Sequence, residues 1–381
     1  MTDDRPVIVD ALRTPIGTAG RSLASVDAAS LAAPVLRELA DGPAGSAGGS
    51  VAVDDVVLGN CMGPGGNVAR VAALAAGLGD PVPGLTIDRQ CGSGLAAVAV
   101  AASQVLTGAG TVLAGGTESA STAPWRCWPP VEGGAPRRYE RAPFAPTPDD
   151  DPEMGVAADL LAEEAGVARA RQDEYAARSH VRAWEHQRAG GFAAEIVGVG
   201  AVESDERVRR GMTAERLGRL RPAFRPGGTV TAGNSCGVND GAAAVALVSG
   251  TRHAQLGVPG LRVLAQATAG VDPRRPGTGI VPAARTVLAR TGLGLGQIDV
   301  VELNEAFAGQ VLACCDALGL DEERVCPQGG ALALGHPWGA SGAVLLVRLF
   351  SQLVREERGR TGLAAIAVGG GQGVAMVVER C

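Results

Sequence analysis

A cysteine, a histidine and an asparagine stand in four glycine-framed segments of this sequence. The segments are 88–94 (DRQCGSG), 303–307 (LNEAF), 333–342 (ALGHPWGASG) and 368–373 (VGGGQG). A thiol, an imidazole and a neutral amide are the groups that acyl transfer through a thioester requires. The combination predicts a nucleophilic thiol, a proton acceptor beside it and hydrogen-bond donors for an oxyanion.

Cys91 is the candidate nucleophile. It follows an apolar run, 82–87, and directly precedes a Gly-Ser-Gly turn into a stretch rich in alanine and valine. The positive end of a helix dipole lowers the pKa of a thiol at the helix N-terminus, so we expect thiolate to be available. A buried cysteine that packs as a small apolar residue is the alternative interpretation.

His336 is the histidine with the most restricted setting, between a glycine and a proline. Held there, its imidazole could take the proton from Cys91 or polarise a thioester carbonyl. The other three histidines carry no such motif. We expect two of them on the solvated face of a charged helix and one in a loop: His180, His186 and His253.

Asn304 ends an apolar run, and its amide could hold a water or donate to an oxyanion without adding charge. The next residue, Glu305, either orients the neighbouring loop or serves as a structural hydrogen-bonding group. The backbone N–H groups of Cys91 and Gly369 are candidates for a second oxyanion hole, because a run of glycines lets a substrate oxygen approach the backbone.

The elements that must position these groups occur twice along the chain. The order strand, glycine turn, helix, strand ending in Gly-Gly is found over residues 53–117 and again over 298–369. Continuous apolar strands alternating with helices predict an α/β fold with mostly parallel, covered sheets. A duplicated unit packed on itself would place sites where its two halves meet.

Residues 119–238 interrupt this repeat. The segment begins with loop sequence rich in proline, tryptophan and arginine, 124–152, and continues with a charged helix over about 172–188. We interpret it as an inserted subdomain whose loops supply substrate contacts.

Composition excludes several classes of function. The chain has 381 residues, and its 34 basic residues are all arginine, so Schiff-base chemistry and a Walker-type phosphate lysine are excluded. The net charge is −6 and the arginines are scattered, which argues against a nucleic-acid partner. Aromatic residues make up only 3%, so alanine, valine and leucine must form the core.

The sequence also indicates where the protein works. Residues 1–10 lack the pattern of a signal peptide, and no apolar stretch is long enough to span a bilayer. The eight cysteines show neither CxxC pairs nor a regular framework. We therefore expect reduced thiols, a cytoplasmic protein without membrane association, and no metal site.

Taken together, the motifs resemble the thiolase family, of the acetyl-CoA acetyltransferase and 3-ketoacyl-CoA thiolase type. The resemblance runs nearly end to end, from 7–17 (VIVDALRTPIG) through 221–234 to 369–376 (GGGQGVAM). It implies two similar βαβαβαββ lobes in a layered α/β/α/β/α core with an inserted loop domain. The implied boundaries are 1–118 plus 239–255 for the N-terminal lobe, 119–238 for the CoA-binding insertion and 256–381 for the C-terminal lobe.

The resemblance also implies a ping-pong reaction on coenzyme A thioesters. Cys91 would accept the acyl group, His336 with a water on Asn304 would stabilise the enolate, and the amides of Cys91 and Gly369 would hold the oxyanion. It implies no permanently bound cofactor and a homodimer or homotetramer. It places six residues along the pantetheine tunnel: Met154, Gly155, Ala232, Cys236, Ala306 and Phe307.

The sequence departs from the family pattern at the position of a second catalytic cysteine, where it has Ala367. Alanine cannot exchange a proton with the substrate α-carbon, and such acid–base assistance is typically worth ~10²–10⁴ in rate. Cys236 replaces a serine that contacts pantetheine, Glu153 replaces a histidine, Cys326 replaces an asparagine, and Trp338 is large for its place. These changes predict an altered substrate pocket.

Three alternatives follow. An acyltransferase could pass the acyl group on without the usual base, by decarboxylative condensation as in the ketoacyl synthases or by transfer to water, an amine or an alcohol. An ordinary thiolase could use Cys236 or a water in place of the missing thiol. A non-catalytic CoA-binding scaffold is the third. We favour an acyl-CoA C-acyltransferase of thiolase type.

Overall fold

The computed structural model describes residues 4–42 and 52–381. Residues 1–3 and 43–51 lie outside the described residues. The expectation for residues 1–10 includes the first of these ranges, and the expectation of a lobe over 1–118 includes both.

Strands and helices alternate along most of the described chain. The strands are β1 (Val7–Arg13), β2 (Gly17–Thr18), β3 (Asp55–Gly59), β4 (Gly84–Ile87), β5 (Thr111–Ser119), β6 (Arg126–Trp128), β7 (Arg137–Tyr139), β8 (Asn239–Val248), β9 (Leu261–Gly270), β10 (Val300–Leu303), β11 (Thr361–Val368) and β12 (Gln372–Arg380). The helices are α1 (Ala28–Asp41), α2 (Val68–Ala75), α3 (Ser93–Leu106), α4 (Met154–Glu164), α5 (Arg169–Arg188), α6 (Ala214–Gly218), α7 (Gly250–Leu256), α8 (Ile280–Thr291), α9 (Ala308–Leu318), α10 (Ala331–Leu334) and α11 (Trp338–Phe350).

The main sheet has the strand order β10-β11-β12-β9-β1-β8-β5-β3-β4, and β2 pairs with β8. Its two halves join between β1 and β9, where Val7 pairs with Arg262 and Ile8 pairs with Leu261. Strands β1, β8, β5, β3 and β4 therefore lie on one side of this short junction, and β9, β12, β11 and β10 lie on the other.

The expectation of mostly parallel sheets was wrong. Among the described strand pairs of the main sheet, only β10–β11, β3–β4 and β3–β5 are parallel. The antiparallel pairs run through the middle, where β12 lies between β11 and β9, and β8 lies between β5 and β1. A continuous apolar strand indicates burial on both faces, and these strands are covered on both faces without being parallel.

The layers follow from three apolar clusters. Helices α3 and α11 lie between the two halves of the sheet, where Leu95 and Leu346 pack in one core with Val245 of β8 and Ile366 of β11. Helices α1 and α2 cover the outer face of one half. Helices α8 and α9 cover the outer face of the other. The layered α/β/α/β/α architecture is thereby confirmed.

Glycines let the two central helices touch. A Cβ atom added at Gly94 would lie 2.8 Å from the carbonyl oxygen of Gly339, and one at Gly342 would lie 2.4 Å from the backbone nitrogen of Leu95. Such separations are shorter than any packed Cβ atom allows. Part of the glycine content of the motifs thus serves the contact between α3 and α11, which carries the site residues at its ends.

The segment between β5 and β8 holds the β6–β7 pair and helices α4, α5 and α6. The charged helix predicted over about 172–188 is α5. Arg171 of α5 pairs with Asp316 at 2.8 Å, and Arg182 pairs with Glu323 at 2.9 Å, so charged residues of α5 hold it against the C-terminal half of the chain.

The expectations for the other three histidines were wrong. His180 is buried, because α5 has an inward stripe with helical spacing that the many charged residues around it obscure. His186 is half-buried, with its ring centroid 4.6 Å from that of Phe192. His253 belongs to helix α7 rather than a loop, and its Nε2 lies 2.7 Å from the carbonyl oxygen of Val258.

Candidate active site

A cavity of about 120 Å³ lies where the ends of β11, α11 and the segments around α4 and α9 meet. It brings together residues from all four glycine-framed segments. The residues that line it are Cys91, Met154, Ala157, Ala158, Cys236, Pro276, Gly277, Ala306, Phe307, Gln310, His336, Trp338, Ala367, Val368 and Gly369.

Cys91 sits in a tight turn directly before α3. Gln90 has a left-handed backbone with φ of 44°, and the hydroxyl of Ser93 donates to the Gln90 carbonyl at 2.6 Å while it accepts from the Arg89 N–H at 2.8 Å. Gly92 is required because a Cβ atom there would lie 2.6 Å from a methyl of Val368. The turn thereby fixes the sulfur at the wall of the cavity.

The expected lowering of the Cys91 pKa was wrong for the free protein. The thiol keeps part of its surface open, yet burial raises its pKa to about 12, and the nearby Cys236 and Glu118 act in the same direction. The backbone N–H groups of Cys91 and Gly369 lower the pKa, but their effect is smaller. Desolvation of the anion thus outweighs the helix N-terminus, and the resting sulfur is a thiol at neutral pH.

His336 is held by its backbone as well as its ring. Its N–H donates to Oδ1 of Asn239 at 2.9 Å, and Asn239 in turn donates to the Gly17 carbonyl. Gly335 has φ of 115°, and a Cβ atom there would lie 2.5 Å from the Asn239 side chain. The glycine before the histidine is therefore required by both conformation and space.

Hydrogen bonds assign the tautomer of this imidazole. The hydroxyl of Ser341 donates to the Pro337 carbonyl at 2.9 Å and lies 2.6 Å from Nδ1 of His336. Because the hydroxyl has one proton, Nδ1 must donate to it. Nε2 then carries the lone pair, which agrees with the Asn304 Nδ2 donor 3.5 Å away.

Burial lowers the pKa of His336 to about 4. No described carboxylate contributes to this shift, so the ring is neutral at physiological pH. The cavity therefore holds a thiol and a neutral imidazole with a free lone pair, a pair that can transfer a proton when a substrate arrives.

Asn304 does not line the main cavity, although its Nδ2 lies 3.5 Å from Nε2 of His336. Its backbone N–H donates to the Ala365 carbonyl at 3.0 Å, which continues the pairing of β10 with β11. With Glu302, Ser341 and Arg348, its side chain borders a second, inner cavity of about 20 Å³. That volume is enough for one water molecule.

Glu305 is a structural anchor. Its carboxylate accepts hydrogen bonds from the hydroxyls of Tyr175 and Ser179 at 2.9 and 2.7 Å and from the Leu332 N–H at 3.2 Å. It is fully buried, and burial raises its pKa. The side chain thus ties α5 to the segment that leads to His336, and it does not line the cavity.

The structure brings together four of the six residues that the resemblance placed along the pantetheine tunnel: Met154, Cys236, Ala306 and Phe307. Gly155 does not line the cavity. A Cβ atom there would lie 2.2 Å from the ring of Phe224, so it makes room for that ring. Ala232 also lies outside the cavity wall and is exposed.

Ala367 and Trp338 both line the cavity, but two other departures from the family pattern do not. Glu153 is exposed and precedes α4. Cys326 is buried, and its thiol donates to the Leu303 carbonyl at 3.2 Å. The expectation of an altered pocket therefore rests on Cys236, Ala367 and Trp338.

Several cavity residues were missed in the sequence. Ala157 and Ala158 follow Met154 by three and four positions on α4, a helical spacing that could have revealed them. Gln310 follows Phe307 at the start of α9, and its Nε2 donates to the Gly277 carbonyl at 3.1 Å. The turn at Pro276 and Gly277 carries no sequence signal of its own.

A side chain at position 369 would clash with the inserted segment, which explains the glycine there. A Cβ atom there would lie 2.7 Å from the ring of Phe144. The insertion thus reaches the glycine-rich turn between β11 and β12.

Over residues 4–42 and 52–381, no helix has the length and apolar character to cross a bilayer.

Comparisons with known proteins give a consistent result. The family model described as thiolase, N-terminal domain, matches residues 6–251, and the model described as thiolase, C-terminal domain, matches residues 259–380. The chain is 42% identical over 377 residues to a protein of Bacillus subtilis named putative acetyl-CoA C-acetyltransferase YhfS, which covers 98% of each chain.

Two further relatives cover nearly all of both chains. A Staphylococcus aureus protein named putative acetyl-CoA C-acetyltransferase VraB is 41% identical over 386 residues, 99% of this chain and 100% of that one. The crystal structure of the Bacillus anthracis acetyl-CoA acetyltransferase matches with a TM-score of 0.91 at 38% identity and covers 100% of both chains.

Proposed function

Since this chain belongs to the thiolase family and is an acyltransferase, we propose that it carries its acyl group on Cys91 and takes that group from a coenzyme A thioester. The observation that carries the proposal is the shared cavity of Cys91, His336 and Gly369. A thiol, a neutral imidazole and a backbone amide around one space are what acylation of a sulfur requires.

Acylation begins with transfer of the Cys91 proton to Nε2 of His336. The tautomer fixed by Ser341 leaves this nitrogen free to accept it. The thiolate attacks the thioester carbonyl, and the amides of Cys91 and Gly369, which already act on the sulfur, hold the oxyanion. Collapse of the tetrahedral intermediate gives the acyl-enzyme.

The same Nε2 becomes a donor once it is protonated. Together with the Asn304 amide, 3.5 Å from it, it would stabilise negative charge on the carbonyl oxygen of a second CoA thioester. The inner cavity beside Asn304 has room for a water that would complete the oxyanion hole formed by His336 and Asn304.

The walls of the cavity fit the pantetheine arm of coenzyme A. Met154, Cys236, Ala306 and Phe307 would contact it. Gly155 would act through Phe224, and the exposed Ala232 would meet the part of coenzyme A that lies outside the cavity. We extend the proposal to residues 119–238 as the CoA-binding domain between lobes formed by 1–118 plus 239–255 and by 256–381. Cytoplasmic location and a homodimer or homotetramer stay predictions.

Intact-protein mass spectrometry tests the acyl-enzyme. After exposure to acetyl-CoA, the protein should gain one acetyl group, and Cys91→Ala should gain none. No adduct on a folded parent protein would overturn the proposal and favour a CoA-binding scaffold. Tryptic mapping of the adduct to the peptide with Cys91 separates it from acetylation of other thiols.

Ala367 supports a second candidate, decarboxylative condensation, because a methyl group stands in the cavity wall where a base is expected. Loss of CO2 generates the carbanion without a base. A condensed product formed from malonyl-CoA but not from acetyl-CoA would establish this route. Thiolysis of acetoacetyl-CoA should also be compared between the parent protein and an Ala367→Cys variant. Equal rates would exclude decarboxylative condensation as the main activity.

A further inference from the structure

A second thiol faces the same cavity as Cys91. Cys236 lines the wall with His336 and Ala367, and negative charge on its sulfur acts to raise the pKa of Cys91. Its backbone N–H donates to the Ala306 carbonyl at 2.9 Å, and the preceding residue bridges Phe307. These contacts fix the backbone that carries the thiol, at the wall of the cavity that a CoA thioester would enter.

Arg207 lies against this segment on both sides of Cys236. Its Nη2 donates to the Ser235 carbonyl at 3.2 Å, and a Cβ atom at Gly237 would lie 2.7 Å from Nη1. A third contact, from Nε to the Leu332 carbonyl at 3.4 Å, fixes the guanidinium plane. Each of these partners is a neutral backbone group.

Within the described part of the chain, Arg207 forms no salt bridge with a carboxylate. Burial lowers its pKa, and the interaction with Cys236 is the effect that raises it. An arginine that is half-buried and lacks an anionic partner is costly. The group next to it that could become anionic is the Cys236 thiol.

Burial raises the pKa of Cys236 to about 12, and Arg207 is the main influence in the opposite direction. Neighbouring His180 stays neutral, because burial and the charges of Arg207 and Arg209 lower its pKa to about 4. The guanidinium is therefore the cation that would stabilise a thiolate at this position. Cys91 relies instead on His336 and two backbone amides.

We propose that Cys236 is the second catalytic cysteine of this protein: it exchanges a proton with the α-carbon of the CoA thioester, and Arg207 stabilises its thiolate. The inference rests on the acyl-enzyme proposed above. It assigns the proton transfer that Ala367 cannot perform to a residue on a different segment of the cavity wall.

In the cleavage direction, each proton transfer has a donor and an acceptor among the cavity residues and the substrate. The Cys91 proton moves to Nε2 of His336, and the thiolate attacks the 3-keto carbon of a 3-ketoacyl-CoA. The bond between C2 and C3 breaks, its electron pair forms the enolate of acetyl-CoA, and Cys236 protonates the α-carbon. The remaining thiolate lies beside Arg207.

Coenzyme A then closes the cycle. Its thiol gives a proton to the Cys236 thiolate, and its sulfur attacks the acyl carbonyl on Cys91. The acyl-CoA leaves, and the Cys91 thiolate recovers its proton from the imidazolium of His336. Condensation is the same sequence in reverse.

The experiment compares Cys236→Ser with the parent protein. Serine keeps the size and a hydrogen-bonding hydroxyl, but it is a far weaker acid than a thiol. We expect acetoacetyl-CoA thiolysis to fall by about 100-fold or more, with the KM for CoA little changed. A residue that only contacts pantetheine would instead affect KM and tolerate serine.

Two controls keep the result interpretable. Cys236→Ser should unfold at the same temperature as the parent protein, which shows that a lower rate does not come from loss of the fold. Ala367→Cys in the Cys236→Ser background returns a thiol to the cavity and should restore most of the lost rate. Thiolysis by Cys236→Ser at the parental rate would overturn the inference.

Exchange of the α-protons of acetyl-CoA in D2O separates this inference from the acyl-enzyme. The Cys91→Ala variant cannot be acylated, so exchange in it reports the second base alone. We expect exchange in Cys91→Ala and its loss in the double variant with Cys236→Ser. Equal exchange in both would overturn the assignment of Cys236 even if the Cys91 adduct forms.

Arg207 is tested by substitutions that keep or remove its charge. Arg207→Lys should retain most of the exchange, whereas Arg207→Met should lower it roughly tenfold, as expected for loss of one charge partner at a partly buried group. Equal exchange in the two variants would contradict a role for the charge.

Discussion

The Ser341 hydroxyl accepts a hydrogen bond from Nδ1 of His336 at 2.6 Å and donates its own proton to the Pro337 carbonyl. A neutral side chain, rather than a carboxylate, therefore orients the imidazole. The ring keeps its low pKa, and its Nε2 carries the lone pair that can accept a proton.

Removal of this hydroxyl should weaken the base without affecting substrate binding. In Ser341→Ala the ring loses the partner that fixes its tautomer, and we expect kcat to fall by about tenfold, the equivalent of one lost hydrogen bond. Steady-state kinetics with acetoacetyl-CoA measures this change. Ser341→Thr retains the hydroxyl and is the matched control; parental kcat in Ser341→Ala would contradict the assigned role.

The free enzyme should hold Cys91 as a thiol over the physiological pH range. Because burial raises its pKa to about 12 and lowers that of His336 to about 4, thiolate increases with pH throughout. We expect the rate of Cys91 alkylation by iodoacetamide to rise about tenfold per pH unit between pH 6 and 9.

Peptide mapping by mass spectrometry isolates the rate at Cys91 from those at the other cysteines, and Cys91→Ser provides the background. A rate that is already constant above pH 6 would mean a preformed thiolate–imidazolium pair and would contradict the raised pKa.

Glu302 should make the protein less stable as the pH rises. Burial raises the pKa of this carboxyl to about 7 from an ordinary value of 4.5. Between these values the folded protein binds more protons than the unfolded chain, so stability is highest at low pH and is lost toward pH 7. The loss should reach about 3 kcal/mol at most.

Urea denaturation at pH 5 and pH 8 measures this effect at a fixed protein concentration. Glu302→Gln keeps an acceptor for the Gln352 side chain, which donates to Glu302 at 2.6 Å. It should narrow the difference in stability between the two pH values. An unchanged difference would show that other groups cause it.

The contact between the central helices should not tolerate a methyl group. In Gly342→Ala the new carbon would lie 2.4 Å from the Leu95 nitrogen, so α3 and α11 must separate, at a cost of about 3 kcal/mol or more. Gly296→Ala is the control, since nothing lies within 4 Å of a Cβ atom there. Thermal unfolding of both variants measures the effect, and equal midpoints would contradict it.

Much of the fold could be predicted from the sequence because its signals are local. The glycine turns before α3 and α11, the duplicated order of elements and the charged α5 are visible as residue patterns. Strand direction could not be predicted, because the sequences of β8 and β12 are apolar and would look the same in a parallel or an antiparallel strand. His180 was misplaced because its inward stripe is masked by neighbouring charges.

The sequence predicted which residues meet at the cavity better than it predicted their pKa values. The motifs that carry Cys91, His336 and Gly369 converge on one cavity. The sign of the Cys91 pKa shift depends on desolvation by residues from several segments, which no single motif records. Arg207 escaped notice for the same reason: it lies among other arginines in an irregular stretch, and its position beside Cys236 arises only in the folded chain.

The cavity draws its sulfur from one half of the chain and its imidazole and second amide from the other. During synthesis, residue 91 leaves the ribosome long before residues 336 and 369. Until the later half docks, its thiol has neither a proton acceptor nor the Gly369 amide. A nascent or truncated polypeptide should therefore not consume cellular thioesters, and separately expressed halves should become reactive only upon association.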